Sequence, residues 1–249
     1  MKLCGWPYEG RVISEQLHKQ MLKIVEIICD PMIVGSRTWP QLQPYIAAEL
    51  GTATGQVRTI KRMMEELQIL RRGALNASTI PSEEALTKSG KTLVELMETE
   101  ELMISQGAYE NRDSISSIQD IYKLYYQKAL ANYTINLDGH IIHPLKVTLR
   151  AIKKYGSISF WEWYLLNTLV RSDNEEDFEK FVSAMGDIEK GKLKKSSFEL
   201  VENQLSHSYI LKNFAFAGLV ILEGKKFELT VYPNPKEQEI IDAIIGEGD

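Results

Sequence analysis

The chain is poor in several features whose presence would have narrowed its function. It has only two cysteines in 249 residues, Cys4 and Cys29. They have neither zinc-ligand spacing nor the pairing of a redox motif, so they read as incidental reduced thiols. No run approaches the roughly eighteen apolar residues of a membrane span, and the opening MKLCGWPYEG lacks the apolar centre of a secretory signal. A cytoplasmic protein without a membrane partner is the expectation. An excess of basic residues is also missing: 29 Lys and Arg face 34 Asp and Glu, a net charge of -5. That balance counts against the simplest picture of a DNA-binding protein, which needs cations to neutralise phosphate. The charge is unevenly spread, however. Acidic residues crowd positions 95–101 and 173–179, and basic ones positions 58–72 and 190–195, so an acidic chain still has material for a basic face.

What is present, 44% hydrophobic and 25% charged residues, suffices for two domains of ordinary size. Leu17, Met21, Ile24, Val25 and Ile28 repeat at helical spacing until Asp30-Pro31 stops them. A second helix is predicted from about Gln41, because Pro44 is tolerated in a first turn, and Gly51 ends it. After a turn of small residues, Val57, Ile60, Met64 and Leu67 form an apolar stripe, which leaves Arg58, Arg62 and Glu65 on the opposite face of a helix reaching about Leu70. Residues 69–72 and 85–87 can pair as short strands around a loop with Gly73, Asn76 and Pro81, and Ser89-Gly90 leads into a helix over 91–97. Helix, helix, helix, wing, helix is the order of a winged helix. Arg58 and Arg62 then stand where a recognition helix reads base edges, with Thr54 and Thr59 assisting, while Arg71, Arg72 and Lys91 are placed to meet phosphates.

Residues 98–112 are acidic and polar and read as a connector, followed by a helix over 115–130 rich in tyrosine and suited to packing. Asp138-Gly139 turns the chain. The second half then repeats the outline: Pro144 opens a helix to Tyr155 closed by Gly156, Ile158 is a strand stub, and Ser159 with Glu162 forms a capping box for FWEWYLLNTL. Of Trp161 and Trp163, one is expected in the core and one near its edge. Ser196 with Glu199 predicts a second capped helix running to Phe216, with Phe198, Val201, Leu205 and Tyr209 on one side and Asn203 and His207 opposite. On that helix Asn203, Gln204 and His207 are the candidate base readers, and Lys192, Lys194 and Lys195 before it are candidate phosphate contacts. LVIL and FELTV flank EGKK as a hairpin wing carrying Lys225 and Lys226. The expected architecture is mainly α with small β wings: winged-helix subdomains over 1–97 and 139–249, joined by a helical linker over 98–138.

In LTKSGKTLVEL, IHPLKVTLRAIKKYGSISFWEW and NFAFAGLVILEGKKFELTVYPN, the chain resembles the DNA-recognition region of type IIS restriction endonucleases and related nicking enzymes. The resemblance implies sequence-specific double-stranded DNA as partner, a helical linker between two winged helices, and a nuclease domain or subunit elsewhere that alone would need Mg2+. No cofactor is implied for the residues present.

Two other readings use the same residues. Glu223-Gly224-Lys225 has the Asp/Glu-x-Lys spacing of a metal-dependent endonuclease, but it falls where a hairpin should turn and no aspartate on a convincing strand precedes it. A winged-helix transcriptional regulator is the second alternative, and a dimer on a palindrome is its signature. Ser89-Gly90-Lys91-Thr92 lacks the earlier glycine of a phosphate loop, and His140 with His143 lacks further ligands for a metal.

Overall fold

The computed structural model describes residues 1–8, 10–76, 84–201 and 208–246. It is mainly helical with small sheets, and its contacts divide it into two units, residues 10–129 and residues 1–9 with 130–249. No described helix is long and apolar enough to cross a membrane.

In the unit of residues 10–129, α1 (Glu15–Cys29) buries Leu17, Met21, Ile24, Val25 and Ile28, the predicted stripe. Asp30 then caps the short α2 (Pro31–Val34). The next helix, α3 (Trp39–Glu49), starts two residues earlier than expected, because Thr38 and Gln41 close a capping box around its first turn. Pro44 therefore lies inside α3 rather than in its first turn. Gly51 takes φ +59° just beyond it. Helix α4 (Thr54–Glu66) buries Val57, Ile60 and Met64, with Leu67 just past its end. It stops short of Leu70 because Gln68 adopts φ 59°.

The strands expected over 69–72 and 85–87 reduce to a single antiparallel bridge, Leu70 to Leu86, supported by the Arg71 N–H on Ala85 O at 2.8 Å and the Thr87 N–H on Ile69 O at 3.0 Å. Thr87 caps α5 (Lys88–Gly107), which runs through most of the stretch read as a connector. Its Glu, Leu, Met and Gln content is helix-favouring, so polarity there marks a solvated helix rather than a loop. Helix α6 (Arg112–Ala131) follows and buries Tyr122 and Tyr126, so these tyrosines pack rather than lie open.

One close approach fixes this unit. A β-carbon on Gly90 would lie 2.8 Å from Ile69 Cα and nearer still to its carbonyl oxygen, so only glycine lets α5 start against the Ile69 backbone.

In the other unit, β1 (Lys2–Leu3) begins a segment that packs against residues 160–169. Hairpin strands β2 (Ile135–Leu137) and β3 (His140–Ile142) turn at Asp138 and Gly139, both with positive φ. Helix α7 (Pro144–Tyr155), β4 (Ile158–Ser159) and α8 (Phe160–Leu169) fall where the sequence puts them, the last with its Ser159–Glu162 capping box. Trp163 is core and Trp161 only half-buried. Trp6 Nε1 donates to Val170 O at 2.8 Å and its backbone N–H to Asn167 Oδ1 at 3.0 Å, which ties the N-terminal segment to α8.

Helix α9 (Glu175–Glu189) occupies an acidic stretch for which no helix was expected. The helix predicted from Ser196 does not form there. Glu199 and Leu200 instead make β5 (Glu199–Leu200), parallel to β1, with Lys2 opposite Glu199. Local capping loses to a long-range strand pair, and Phe198 is buried ahead of it. Helix α10 (Ser208–Phe216) is the shorter helix that remains. Asn203, Gln204, Leu205 and His207 lie outside the described residues.

Strands β6 (Val220–Glu223) and β7 (Thr230–Pro233) pair antiparallel, and β4 adds to β7, giving the order β4-β7-β6. The second hairpin strand thus begins at Thr230, later than FELTV suggested, because residues 226–228 form a 3-10 turn. Helix α11 (Gln238–Gly246) closes the chain described, and Ile158, Leu165, Phe214, Leu219 and Val231 form the solvent-free core.

Candidate nucleic-acid interface

The four residues 50–53 between α3 and α4 make the turn, and α4 then projects its polar face away from the core. Arg58 and Arg62, one turn apart, are exposed there, while Thr54, at the first helical position, and Thr59 are half-buried. The Thr59 hydroxyl donates to Gly55 O at 3.2 Å.

Beside this face lies an open groove of about 400 Å³ lined by Trp39, Gln43, Arg58, Lys61, Arg62, Glu65, Glu66 and Arg72. The structure therefore brings Arg58, Arg62 and Arg72 together and adds Lys61, Trp39 and Gln43, which the sequence reading passed over. The Lys61–Glu65 spacing of an i,i+4 ion pair was the available signal.

Glu65 does not stand on the open face as expected. Its carboxylate is largely covered, accepting from Lys61 Nζ at 2.9 Å and from the Gly73 N–H at 2.8 Å. One carboxylate thus ties the middle of α4 to the loop that carries Arg71 and Arg72, both exposed. Glu66 accepts from Arg62 Nε at 3.0 Å. Burial raises the Glu66 carboxyl above the ordinary glutamate range, and the Arg62 hydrogen bond only partly offsets that. Arg58 and Arg72 have no carboxylate within ion-pair distance among the described residues. The groove carries four cations against two carboxylates, with the Arg58 and Arg72 guanidinium groups outside ion-pair distance and Arg72 acting on Glu66 only through space, an arrangement that suits paired acceptors on phosphate or on a guanine edge. Lys91 is exposed in the second turn of α5.

In the other unit, Lys192 and Lys194 are exposed on the loop after α9. Lys195 is half-buried and engaged: its Nζ lies 2.8 Å from Glu162 Oε1. Burial alone would raise the Glu162 carboxyl, but the hydrogen bonds from Lys195 and Ser159 outweigh it and hold the group below its ordinary range. Lys225 and Lys226 are exposed on the β6–β7 turn. Gly224 has φ +81° there, and a β-carbon would sit 3.0 Å from the Glu228 carbonyl carbon, so Glu223-Gly224-Lys225 is a tight turn that only glycine can make. No cluster of three or more His, Cys, Asp or Glu side chains suited to a metal occurs among the described residues. His143 Nδ1 instead pairs with Asp173 Oδ2 at 2.5 Å. No family model, curated protein or solved structure matches the chain.

Proposed function

We propose that this chain reads double-stranded DNA sequence-specifically through two winged helices, as the target-recognition part of a restriction endonuclease. Its nuclease centre, and any need for Mg2+, would belong to a separate domain or subunit. The observation that carries the reading is the exposed pair Arg58 and Arg62 on α4, set after a tight turn and joined by Arg72 in one cationic groove. Helix α4, which follows α3 after a tight turn, is in this reading the recognition helix, and the Leu70–Leu86 bridge, taken as the base of a wing, supports it. In the other unit, the order α7, β4, α8, α9, β5, α10, β6, β7 with sheet order β4-β7-β6 supports a second winged helix whose recognition helix is α10, provided α9 and β5 are an insertion ahead of it.

In this mechanism Arg58 meets a base edge first, because nothing holds it, and Arg62 follows when it leaves Glu66. Arg72 in the same groove, with Arg71 and Lys91, neutralises phosphates, and Lys192, Lys194, Lys225 and Lys226 do so from the second unit. Selection of bound sequences from a random duplex library tests the proposal. One asymmetric consensus bound on the order of 10³ tighter than random duplex is expected; no enrichment refutes it, and a palindrome bound by a dimer favours a transcriptional regulator.

A further inference from the structure

Phe227 is an unusual residue for the tip of a hairpin turn. It is 59% exposed, yet the turn that carries it is firmly fixed: Gly224 and Lys226 take positive φ, the Glu228 N–H meets Lys225 O at 3.1 Å, and Leu229 O accepts from the Phe160 N–H at 2.7 Å. The Phe227 ring lies parallel to Trp161, with centroids 5.7 Å apart and planes within 8°. It meets Phe160 edge to face at 5.2 Å, and Phe198 packs tilted on Trp161 at 6.3 Å. Two aromatic rings, one of them itself packed on Phe198, therefore hold Phe227 in place while much of its surface stays in water.

Lys225 and Lys226 immediately precede it on the same turn, both exposed. Lys195 reaches the first turn of α8 beside Trp161 and neutralises Glu162 there. The other carboxylates of the turn, Glu223 and Glu228, are exposed and free to rotate into solvent. A rigid, wet aromatic face next to flexible cations is the combination that binds an unpaired base and its flanking phosphates.

We infer that the Trp161–Phe227 stack is a second nucleic-acid contact, which takes one unpaired base of single-stranded DNA on the open side of Phe227, with Lys225 and Lys226 on the adjoining phosphates. This goes beyond duplex reading by α4 and does not depend on it. Trp6 and Trp163 are buried and Trp39 lines the α4 groove, so the part of the quenching that a change at Phe227 removes reports on Trp161.

The test is a titration of the full chain with an oligothymidylate of about 12 nucleotides at low salt, following tryptophan fluorescence. Saturable quenching is expected. Phe227→Leu, which keeps apolar packing against Phe160 and Trp161, should remove the quenching and weaken binding on the order of tenfold without changing the melting temperature, and Phe227→Trp should restore both. Lys225→Ala and Lys226→Ala should each flatten the dependence of log affinity on log salt by about 0.7. Absence of saturable quenching, or unchanged affinity in Phe227→Leu, overturns the inference. Either result leaves duplex reading by α4 standing, since that is measured separately with Arg58→Ala.

Discussion

Arg62 donates through Nε to Glu66 Oε1 at 3.0 Å one turn further along α4, whereas Arg58, one turn earlier, has no ion-pair partner among the described residues. The two arginines thus present different costs to a ligand. Arg58 needs only to shed water; Arg62 must also leave a carboxylate that is largely covered. Glu66→Gln should therefore strengthen duplex binding by about 0.5 to 1 kcal/mol, the scale of a partly exposed ion pair.

The pH dependence follows from the raised Glu66 carboxyl. Above that pKa, which lies above the ordinary glutamate range, the carboxylate holds Arg62; as pH falls through it, Glu66 protonates and its ion pair with Arg62 is lost. Affinity should rise over that interval in the wild type and rise less in Glu66→Gln. Equal pH profiles in titrations at fixed salt would show that the pair does not compete with DNA.

Gly90 and Gly55 make a matched pair for stability. Gly90→Ala forces a β-carbon into the Ile69 backbone and should cost about 2 kcal/mol or more in denaturant unfolding. Gly55→Ala, in the first turn of α4 with only Arg58 Nη2 at 3.9 Å, should be neutral or stabilising by up to about 1 kcal/mol. Similar losses for both would mean that α5 does not start against Ile69 as described.

His18 gives the folded chain a second acid sensitivity. Its Nε2 lies 2.9 Å from the Tyr126 hydroxyl, its ring stacks on Tyr126 at 5.8 Å, and desolvation pushes its pKa down to about 4. A folded-state value below the unfolded one, about 6.5, means the neutral ring's contribution is complete above pH 6.5 and is lost as pH falls towards 4. Unfolding free energy should decline across that window by a few kcal/mol. The decline should shrink in His18→Phe, whose lower stability at neutral pH serves as the reference. A flat wild-type profile from pH 6.5 to 4 would place His18 in water.

The local code was readable where a pattern could be satisfied by its own neighbours. The stripe of α1, Pro144 at the start of α7 and the Ser159–Glu162 box set their helices within a residue or two, and the stripe of α4 set its buried face though not its end. The Ser196–Glu199 pattern failed because Glu199 pairs with Lys2, 197 positions away, and nothing within the segment records that partner. Polarity misled over 98–107, where solvated glutamates sit on a helix. The exposed faces of Arg58 and Arg62 were likewise legible, but Glu66 as the Arg62 partner and Phe227 on Trp161 depend on side-chain placement. A helix period fixes which residues face solvent, not which of them are already engaged.

Lys194 and Lys195, adjacent in sequence, should separate in function. Lys194→Ala should weaken specific and random duplex binding alike and flatten the salt slope by about 0.9. Lys195→Ala should instead cost about 0.5 to 1 kcal/mol of stability, because it leaves Glu162 without its ion-pair partner. Identical salt slopes for wild type and Lys194→Ala would return this loop to plain solvent exposure.

The most direct measurement compares wild type with Arg58→Ala on the selected duplex, on single-base variants of it, and on random duplex, all at one salt concentration. If α4 reads bases, Arg58→Ala loses about 1 to 3 kcal/mol on the selected duplex, tolerates substitution at one or two base pairs, and binds random duplex nearly as wild type does. An equal loss on every duplex, or no loss on any, would contradict base reading by α4.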